Sequence, residues 1–472
     1  MSIIIPANSA VGGGFNVANS CRFNPASDDN LSKTLGTATN QKKFTFSAWV
    51  KLSTLETEIS IFSASSDSNN FNGITMGRDS GVLRYYEVTS GSTIQDLKTS
   101  ALYRDPSAWY HILVAVDTTQ GTSANRTKFY VNGVGISDFS GTTRFGLNTT
   151  TNFNSAEPHK IGIYADVDAG EFGGYMAEVC FIDGTALDPT SFGEFGEDSG
   201  IWKPIDVSGL TFGNNGFYLD FENSGALGAD VSGNSNNFAV NNLTAIDQST
   251  DTCTNNFCTA NPLQTGSGSV SNAPLSDGNL TFTSSQAGSP YPYYFSTFAA
   301  SQGKWYAEFK VTTANSAVIG IGTGAATGFL GAGLYDYSYY YDGTFYNNGG
   351  NTGSQSSYTD GDIISVALDL DNNKIYVAKN NTWQHSGNPS GNSGGYTIVA
   401  PASQTGNTAT GVYHIAYGDA GGGTPAIQGN FGGTNTYTVS SGNADGNGYG
   451  NFEYAVPSGY FALNTKNLAE YG

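Results

Sequence analysis

Residues 361–379 read GDIISVALDLDNNKIYVAK, and the pattern within them decides the fold. Ile364, Val366, Leu368 and Leu370 alternate along the first arm, Asp371-Asn372-Asn373 supplies a turn, and Ile375 and Val377 return. A period of two closed by a turn is an antiparallel hairpin with one buried face. Lys379, Asn380 and Asn381 then open a second turn before Trp383.

The same period recurs outward from this hairpin. In KKFTFSAWVKL (42–52), Phe44, Phe46, Ala48 and Val50 take one face, and Thr45, Ser47, Trp49 and Lys51 take the other. Turn pairs stand beside such runs at Asn132-Gly133, Asp183-Gly184, Asp277-Gly278, Asp342-Gly343 and Asp360-Gly361. No stretch reads as a convincing amphipathic helix. Many short strands separated by turns predict an all-β chain of two antiparallel jelly-roll sandwiches.

The chain has 472 residues, enough for two to four domains at roughly 100–200 residues each. Charged residues are 12% of it, against roughly 25% in ordinary soluble domains. Its surface must therefore meet water largely through Ser, Thr, Asn and Gly, while 28 Tyr and 28 Phe supply buriable area that disordered chains lack. A net charge of −20 with no Lys/Arg run argues against nucleic acid as a partner. No stretch is apolar for long enough to insert in a membrane. The opening MSIIIPANSAVGGGFNVANS has no basic region and its apolar run stops at Pro6, so the expectation is a protein without a secretory leader, assembled in a host cytoplasm and released by lysis. Four cysteines, Cys21, Cys180, Cys253 and Cys258, are too few for a disulfide scaffold.

Texture divides the chain. Residues 206–279 are low-complexity Asn/Ser/Thr/Gly sequence, with GFYLDFEN (216–223) as the clearer strand, and are expected to form an ordered bridge. It would join a sandwich over 21–205 to a second over 280–472, the latter ending in a C-terminal tail. Residues 1–20 are expected to be extended, with Ile3, Ile4 and Ile5 adding to a neighbour's sheet edge.

Within the first sandwich, FTFSAWVKL, then WYHILVAVDTTQGTSANRTKFYVNGVGI, then FGGYMAEVCFIDGTAL follow in order. TKFYV is suited to pair antiparallel with the strand in which Tyr110, Ile112, Val114 and Val116 share a face. These elements resemble the laminin-G-like, concanavalin-like family. That resemblance implies binding of glycans or proteins through rim loops, frequently with calcium, and some relatives are glucanases. No Glu-x-Asp-x-x-Glu pattern appears here, and Glu194, Glu197 and Asp198 lie after the last expected strand, a poor place for an acid/base pair. Asp166, Asp168 and Glu171 in YADVDAGEF are the candidates for a calcium loop, with a solvated acidic loop as the favoured alternative. His111 stands in a strand with no Ser or Cys partner of defined spacing and reads as a packed structural residue.

The second sandwich carries KWYAEFKV, IGIG, YYYDGTFYNNG and the hairpin above. A Trp-Tyr-x-Glu strand, a Gly-rich strand, a Tyr-rich hairpin and a Gly-Asp-x-Ile-x-Val-x-Leu-Asp hairpin in this order resemble the SPRY family, which implies an interaction module without catalytic groups. Tyr335, Tyr337, Tyr339 and Tyr341 form one face; as a stacking platform it would offer Tyr337 and Tyr339 to a sugar, and the favoured alternative is a core face. Tyr340, pointing the other way, and Trp383 on its turn are the candidates for exposed contact with a glycan or partner. Cys253 and Cys258 are half a zinc site by spacing, but lack a second ligand pair, so a local disulfide or two free thiols is preferred.

These readings converge on a non-enzymatic virion protein, a capsid decoration or tail fibre component of a tailed phage, whose tail segment PSGYFALNTKNLAEYG resembles the ends of such proteins. Its expected partners are other virion subunits, host surface polysaccharide and further copies of itself. The alternatives are a polysaccharide depolymerase of concanavalin-like fold and a secreted cellular adhesin.

Overall fold

The computed structural model describes residues 14–54, 58–77, 81–167, 169–266, 273–285, 291–325 and 328–472. Ile3, Ile4 and Ile5 lie outside them. The described chain forms two compact units that meet in sequence between Thr254 and Asn255. Residues 206–279 are thus shared: Phe217–Leu219, Ala239–Asn241 and Gln248–Ser249 are strands of the first unit, and Ala260–Thr265 and Leu275–Ser276 belong to the second. Low-complexity sequence here encodes edge strands and covering loops, whose exposed sides need no alternation.

The first unit is a sandwich of two antiparallel sheets. One sheet is centred on Trp109–Asp117, Lys43–Leu52 and Gly174–Asp183. The other runs across Ser92–Leu102, Val82–Thr89, Asn70–Met76, Ile59–Asp67, Pro158–Ile161, Asn30–Thr34 and Ala239–Asn241. Phe44, Phe46, Ala48 and Val50 point between the sheets, with Ile112, Val114 and Val116 beside them, as alternation requires. Thr127–Val131 pairs antiparallel with Trp109–Asp117, Phe129 facing Val114.

The opposite face of Lys43–Leu52 is buried as well, which alternation alone does not indicate. Thr45, Ser47, Trp49 and Lys51 are each at most 2% exposed. Chain from about residue 185 to 254 covers them and supplies partners for Thr45 and Lys51, while Ser47 pairs with His111 on the neighbouring strand. Thr45 donates to the Thr185 carbonyl and accepts from Leu187 N–H. The Lys51 ammonium lies 2.7 Å from Asp251 Oδ2, while Trp109 Nε1 donates to Asp251 Oδ1 at 3.1 Å. A second buried pair, Arg22 with Asp247 at 2.8 Å, fixes the same segment. Charges removed from water survive only when paired and hydrogen-bonded, so both pairs hold the cover in one register.

In the second unit, one sheet contains Tyr293–Ala300, Tyr413–Asp419, Ala317–Gly322, Tyr337–Tyr340 and Thr344–Asn347, and the other is built on Ala426–Asn430, Lys304–Thr313, Ile363–Asp369 and Lys374–Lys379. The hairpin has the expected register: Val366 faces Val377, Leu368 faces Ile375, and Asn373 turns with φ 55°. Glu308, the Glu of the Trp-Tyr-x-Glu strand, is buried and accepts from Glu453 N–H, Tyr454 N–H and the Tyr306 and Tyr437 hydroxyls. It thereby fastens the chain near residue 453 across its own sheet.

Among the described residues, short 3-10 turns such as Pro189–Ser191 and one α-helix depart from the all-strand expectation. Thr465–Tyr471 is an α-helix, capped by the Asn464 side chain on Asn467 N–H at 2.9 Å. Two turns are too short for a helical period to register in sequence.

Breaking one partner of the Lys51–Asp251 pair leaves a buried charge alone. Asp251→Ala is expected to destabilise the first sandwich by about 3–5 kcal/mol in urea titrations followed by tryptophan fluorescence, whereas Lys51→Met combined with Asp251→Leu recovers most of that loss.

Candidate functional site

The strand Val82–Thr89 turns Leu83, Tyr85 and Glu87 inward, so Arg84, Tyr86 and Val88 stand on the outer face of the second sheet. There they line a cavity of about 360 Å³ with Phe71, Thr93, Glu58 and the loop residues Tyr164, Asp166 and Val167. The Tyr86 ring lies over Gly73, where an added Cβ would sit 3.2 Å from Tyr86 Cε1. Phe71 meets Tyr86 edge to face at 5.9 Å between centroids, and Tyr164 stands 6.4 Å away on the other side.

Arg84 orders this surface. Its Nε and Nη2 reach both Asp96 oxygens at 2.8 and 3.2 Å, Nη1 reaches Glu58 Oε1 at 2.8 Å, and its guanidinium carbon lies 4.5 Å from the Tyr86 ring centroid. Desolvation works against its charge, but the bonds to Asp96 and Glu58 outweigh it and hold the guanidinium above its ordinary pKa. Burial, with the nearby Asp166 and Glu58 charges, pushes the Tyr86 phenol up, so its hydroxyl stays a donor. Apolar ring faces beside fixed donors and carboxylate acceptors suit a ligand that has C–H faces and hydroxyl edges.

Beneath this surface, Glu87 is fully buried and accepts from the Tyr85 hydroxyl at 2.7 Å and Asn152 N–H at 2.6 Å. Burial dominates those bonds and raises its carboxyl to about 7.

Of the residues singled out in the sequence, Asp166 is exposed on the cavity wall, Glu171 is half-buried and Asp168 lies outside the described residues. Among the described residues no group of three or more His, Cys, Asp or Glu side chains is placed to hold a metal. Tyr337 and Tyr339 point into the core of the second unit, where Tyr337 accepts from Val399 N–H and Tyr339 donates to the Ser356 carbonyl. They are not presented to a ligand. Tyr340 is a correction to the expectation of exposure: it is 8% exposed, because Phe329 and Leu330 cover that sheet face and its hydroxyl donates to the Leu330 carbonyl. Trp383 is half-buried against Tyr376.

His111 is packed as expected and its tautomer follows from its partners. Trp202 Nε1–H donates to Nδ1 at 3.0 Å, so the ring proton sits on Nε2 and is given to Ser47 Oγ at 2.9 Å. Burial holds the imidazole down at about 3, and it remains neutral. Cys253 and Cys258 are buried thiols that are not joined in a disulfide. Cys253 packs with Trp49, Trp109 and Trp202, and Cys258 sits in the main core of the second unit. Glu194 lies 3.0 Å from Lys203 in a surface ion pair.

Phe71, Arg84, Tyr86 and Tyr164 were not legible as a site. Arg84 and Tyr86 alternate within VLRYYEVT, but Glu58, Asp96 and Tyr164 join them only through strand pairing.

Two antiparallel β-sandwich units, the first with this ring-lined cavity, are what the fold defines. Comparison with protein families agrees and is more particular: residues 26–190 match a laminin-G model described as the Concanavalin A-like lectin/glucanases superfamily, and residues 304–401 match the SPRY domain. The chain thus carries a concanavalin-like domain of laminin-G type followed by a SPRY domain. No curated protein sequence matches it. Among solved structures, the SPRY domain of human HERC1 is 15% identical over 38% of this chain and 99% of that one, with a TM-score of 0.28. Domains LG4-5 of the mouse laminin alpha1 chain are 11% identical over 89% and 91% of the two chains, with a TM-score of 0.31. A protein of Bacteroides ovatus provisionally named as carbohydrate binding is 16% identical over 48% of this chain and 59% of that one, with a TM-score of 0.33.

Two outcomes are expected. Tyr339→Ala empties a packed core position and lowers stability by about 3–5 kcal/mol in denaturant titrations, acting through the core rather than through a binding surface. For Glu87, a folded pKa near 7 against about 4.5 unfolded means that folding takes up a proton in that window, so stability falls as pH rises through it. Glu87→Gln removes this penalty: relative to the parent it gains up to about 3 kcal/mol between pH 5 and 8 in pH-resolved unfolding, where a constant difference would refute the assignment.

Proposed function

We propose that this chain is a non-catalytic, glycan-binding adhesive protein of a phage particle surface, and that the cavity around Tyr86 and Arg84 holds the sugar. The observation that carries the reading is the pairing of the half-buried Phe71 and Tyr164 rings, which flank the buried Tyr86, with an oriented guanidinium and carboxylates in one outer-face cavity. The match of this domain to a lectin-containing superfamily supports it.

Binding is favoured over hydrolysis because Glu58 and Asp96 are both tied to Arg84. A glycosidase needs one carboxyl in reach of the leaving oxygen, and both of these are turned onto the Arg84 guanidinium. The particle setting, with other virion subunits and further copies of the chain as partners, rests on the low charge and on the Asn/Ser/Thr/Gly-rich surface sequence joining two interaction-type sandwiches. The SPRY domain is assigned to contacts within the particle, since its tyrosine stripe is used up in its own core.

The test is a glycan panel probed with the purified chain, followed by titration of the best ligand. Tyr164→Ala, which removes the half-buried loop wall of the cavity, is expected to weaken binding about tenfold or more while the chain still unfolds cooperatively. Retention of full affinity in that variant would remove the cavity as the site. Release of reducing ends from the bound polysaccharide would overturn the non-catalytic reading, and absence of the chain from purified particles by electron microscopy would overturn the virion setting.

A further inference from the structure

The cavity beside Tyr86 holds more negative charge than its guanidinium answers. Arg84 is the only cationic side chain among the described residues that line it. Its Nε and Nη2 are engaged by Asp96 and its Nη1 by Glu58, and its side chain is 14% exposed. Glu58 Oε1 also accepts from the Thr75 hydroxyl at 3.1 Å. One positive charge is thus set against two negative ones, and it is turned onto them and away from any ligand.

A third carboxylate comes from the loop that supplies Tyr164. Gly162 turns the chain off the end of Pro158–Ile161 with φ 92°, Ser63 Oγ donates to the Ile163 carbonyl at 2.9 Å, and Tyr164 then forms a wall of the cavity with Asp166 two residues on. Asp166 is exposed and, among the described residues, makes no ion pair. Its charge reaches into the cavity all the same: after burial itself, Asp166 is the largest cause that pushes the Tyr86 phenol up, ahead of Glu58.

Such a site discriminates by charge. A uronate or a sulfated sugar would bring like charge into a concavity that already holds an excess of it, and the net charge of −20 opposes its approach from farther away. A neutral hydroxyl can donate to Asp166 but leaves its charge unanswered. An ammonium donates and neutralises together, and it is attracted by ring faces such as those of the half-buried Phe71 and Tyr164. Val88 and the exposed Val167 add apolar contact for the C–H face of the sugar that carries it.

Resting on the glycan-binding reading above, we infer that this cavity selects an amino sugar with a free ammonium group, held by Asp166 beside the Phe71 and Tyr164 rings, and excludes acidic polysaccharides.

The experiment titrates the full chain with short glucosamine oligosaccharides, with the same oligosaccharides N-acetylated, and with a uronate oligosaccharide. The pH keeps the amine protonated, and a chelator removes divalent cations that would compete for Asp166. The parent is compared with Asp166→Asn and with Glu197→Gln, which removes an equal charge from an exposed position outside the cavity. Expected are binding of the free amine about tenfold tighter than of its N-acetyl form, loss of most of that preference in Asp166→Asn and its retention in Glu197→Gln, weakening of the preference by salt, and no binding of the uronate. Equal binding of amine and N-acetyl forms, a preference undiminished in Asp166→Asn or equally diminished in Glu197→Gln, or tighter binding of the uronate would overturn the amino-sugar assignment. So would failure to bind any of these ligands by a parent that binds another glycan of the wider panel, and each of these results leaves the glycan site itself standing. If the parent binds neither these oligosaccharides nor any glycan of the panel, the glycan-binding reading falls and takes the assignment with it.

Discussion

The Lys51 ammonium has to be neutralised where it is buried, and much of the first unit is arranged around that constraint. Lys51 lies on the strand that brings Phe44, Phe46 and Val50 to the sandwich core, so its own face could have met solvent. Instead Asp251 comes from two hundred residues later in the chain, receives the ammonium and the Trp109 indole, and brings the preceding loops down over Trp49, His111 and Ser47. Once that face is dry, each polar atom on it needs a partner, and the Trp202–His111–Ser47 relay is one consequence. The second unit meets the same constraint with Glu308, which gathers two backbone N–H groups and two hydroxyls.

Covering one sheet so thoroughly leaves the outer face of the other as the place where the first unit offers oriented chemistry. Arg84 is locked between Asp96 and Glu58, and its position over Tyr86 makes the ring part of a rigid assembly and not a mobile side chain. Rings held against such an assembly, as the half-buried Phe71 and Tyr164 are, lose little freedom when a ligand meets them, which suits this surface to the binding proposed for it. The strap from Gly162 to Tyr164 adds a wall to that surface.

The conserved geometry of pleated strands also explains why the tyrosines of the second unit play a different part. Tyr335, Tyr337 and Tyr339 alternate onto the face between the sheets, and Tyr340, on the other face, is roofed by Phe329 and Leu330. Alternation distinguishes two faces of a strand, but it does not say which of them water reaches. The reading of the stripe as core agrees with the structure; the exposure of Tyr340 does not, because the roof comes from a loop whose approach no local pattern records.

What the sequence determined by itself was whatever depends on neighbours along the chain. The period of two in GDIISVALDLDNNKIYVAK and FTFSAWVKL, and the Asn-Gly and Asp-Gly turns, specify hairpins because pleat and turn geometry are local properties. The two sandwiches followed from them, as did the packed state of His111. Only the tertiary structure decided that both faces of Lys43–Leu52 are dry, that residues 206–254 roof and edge the first sandwich, and that Glu58, Arg84, Asp96 and Tyr164 meet around Tyr86. Those facts rest on pairings between distant segments, where a buried charge or an unfilled sheet edge selects its partner by fit in space and leaves no spacing rule in the chain.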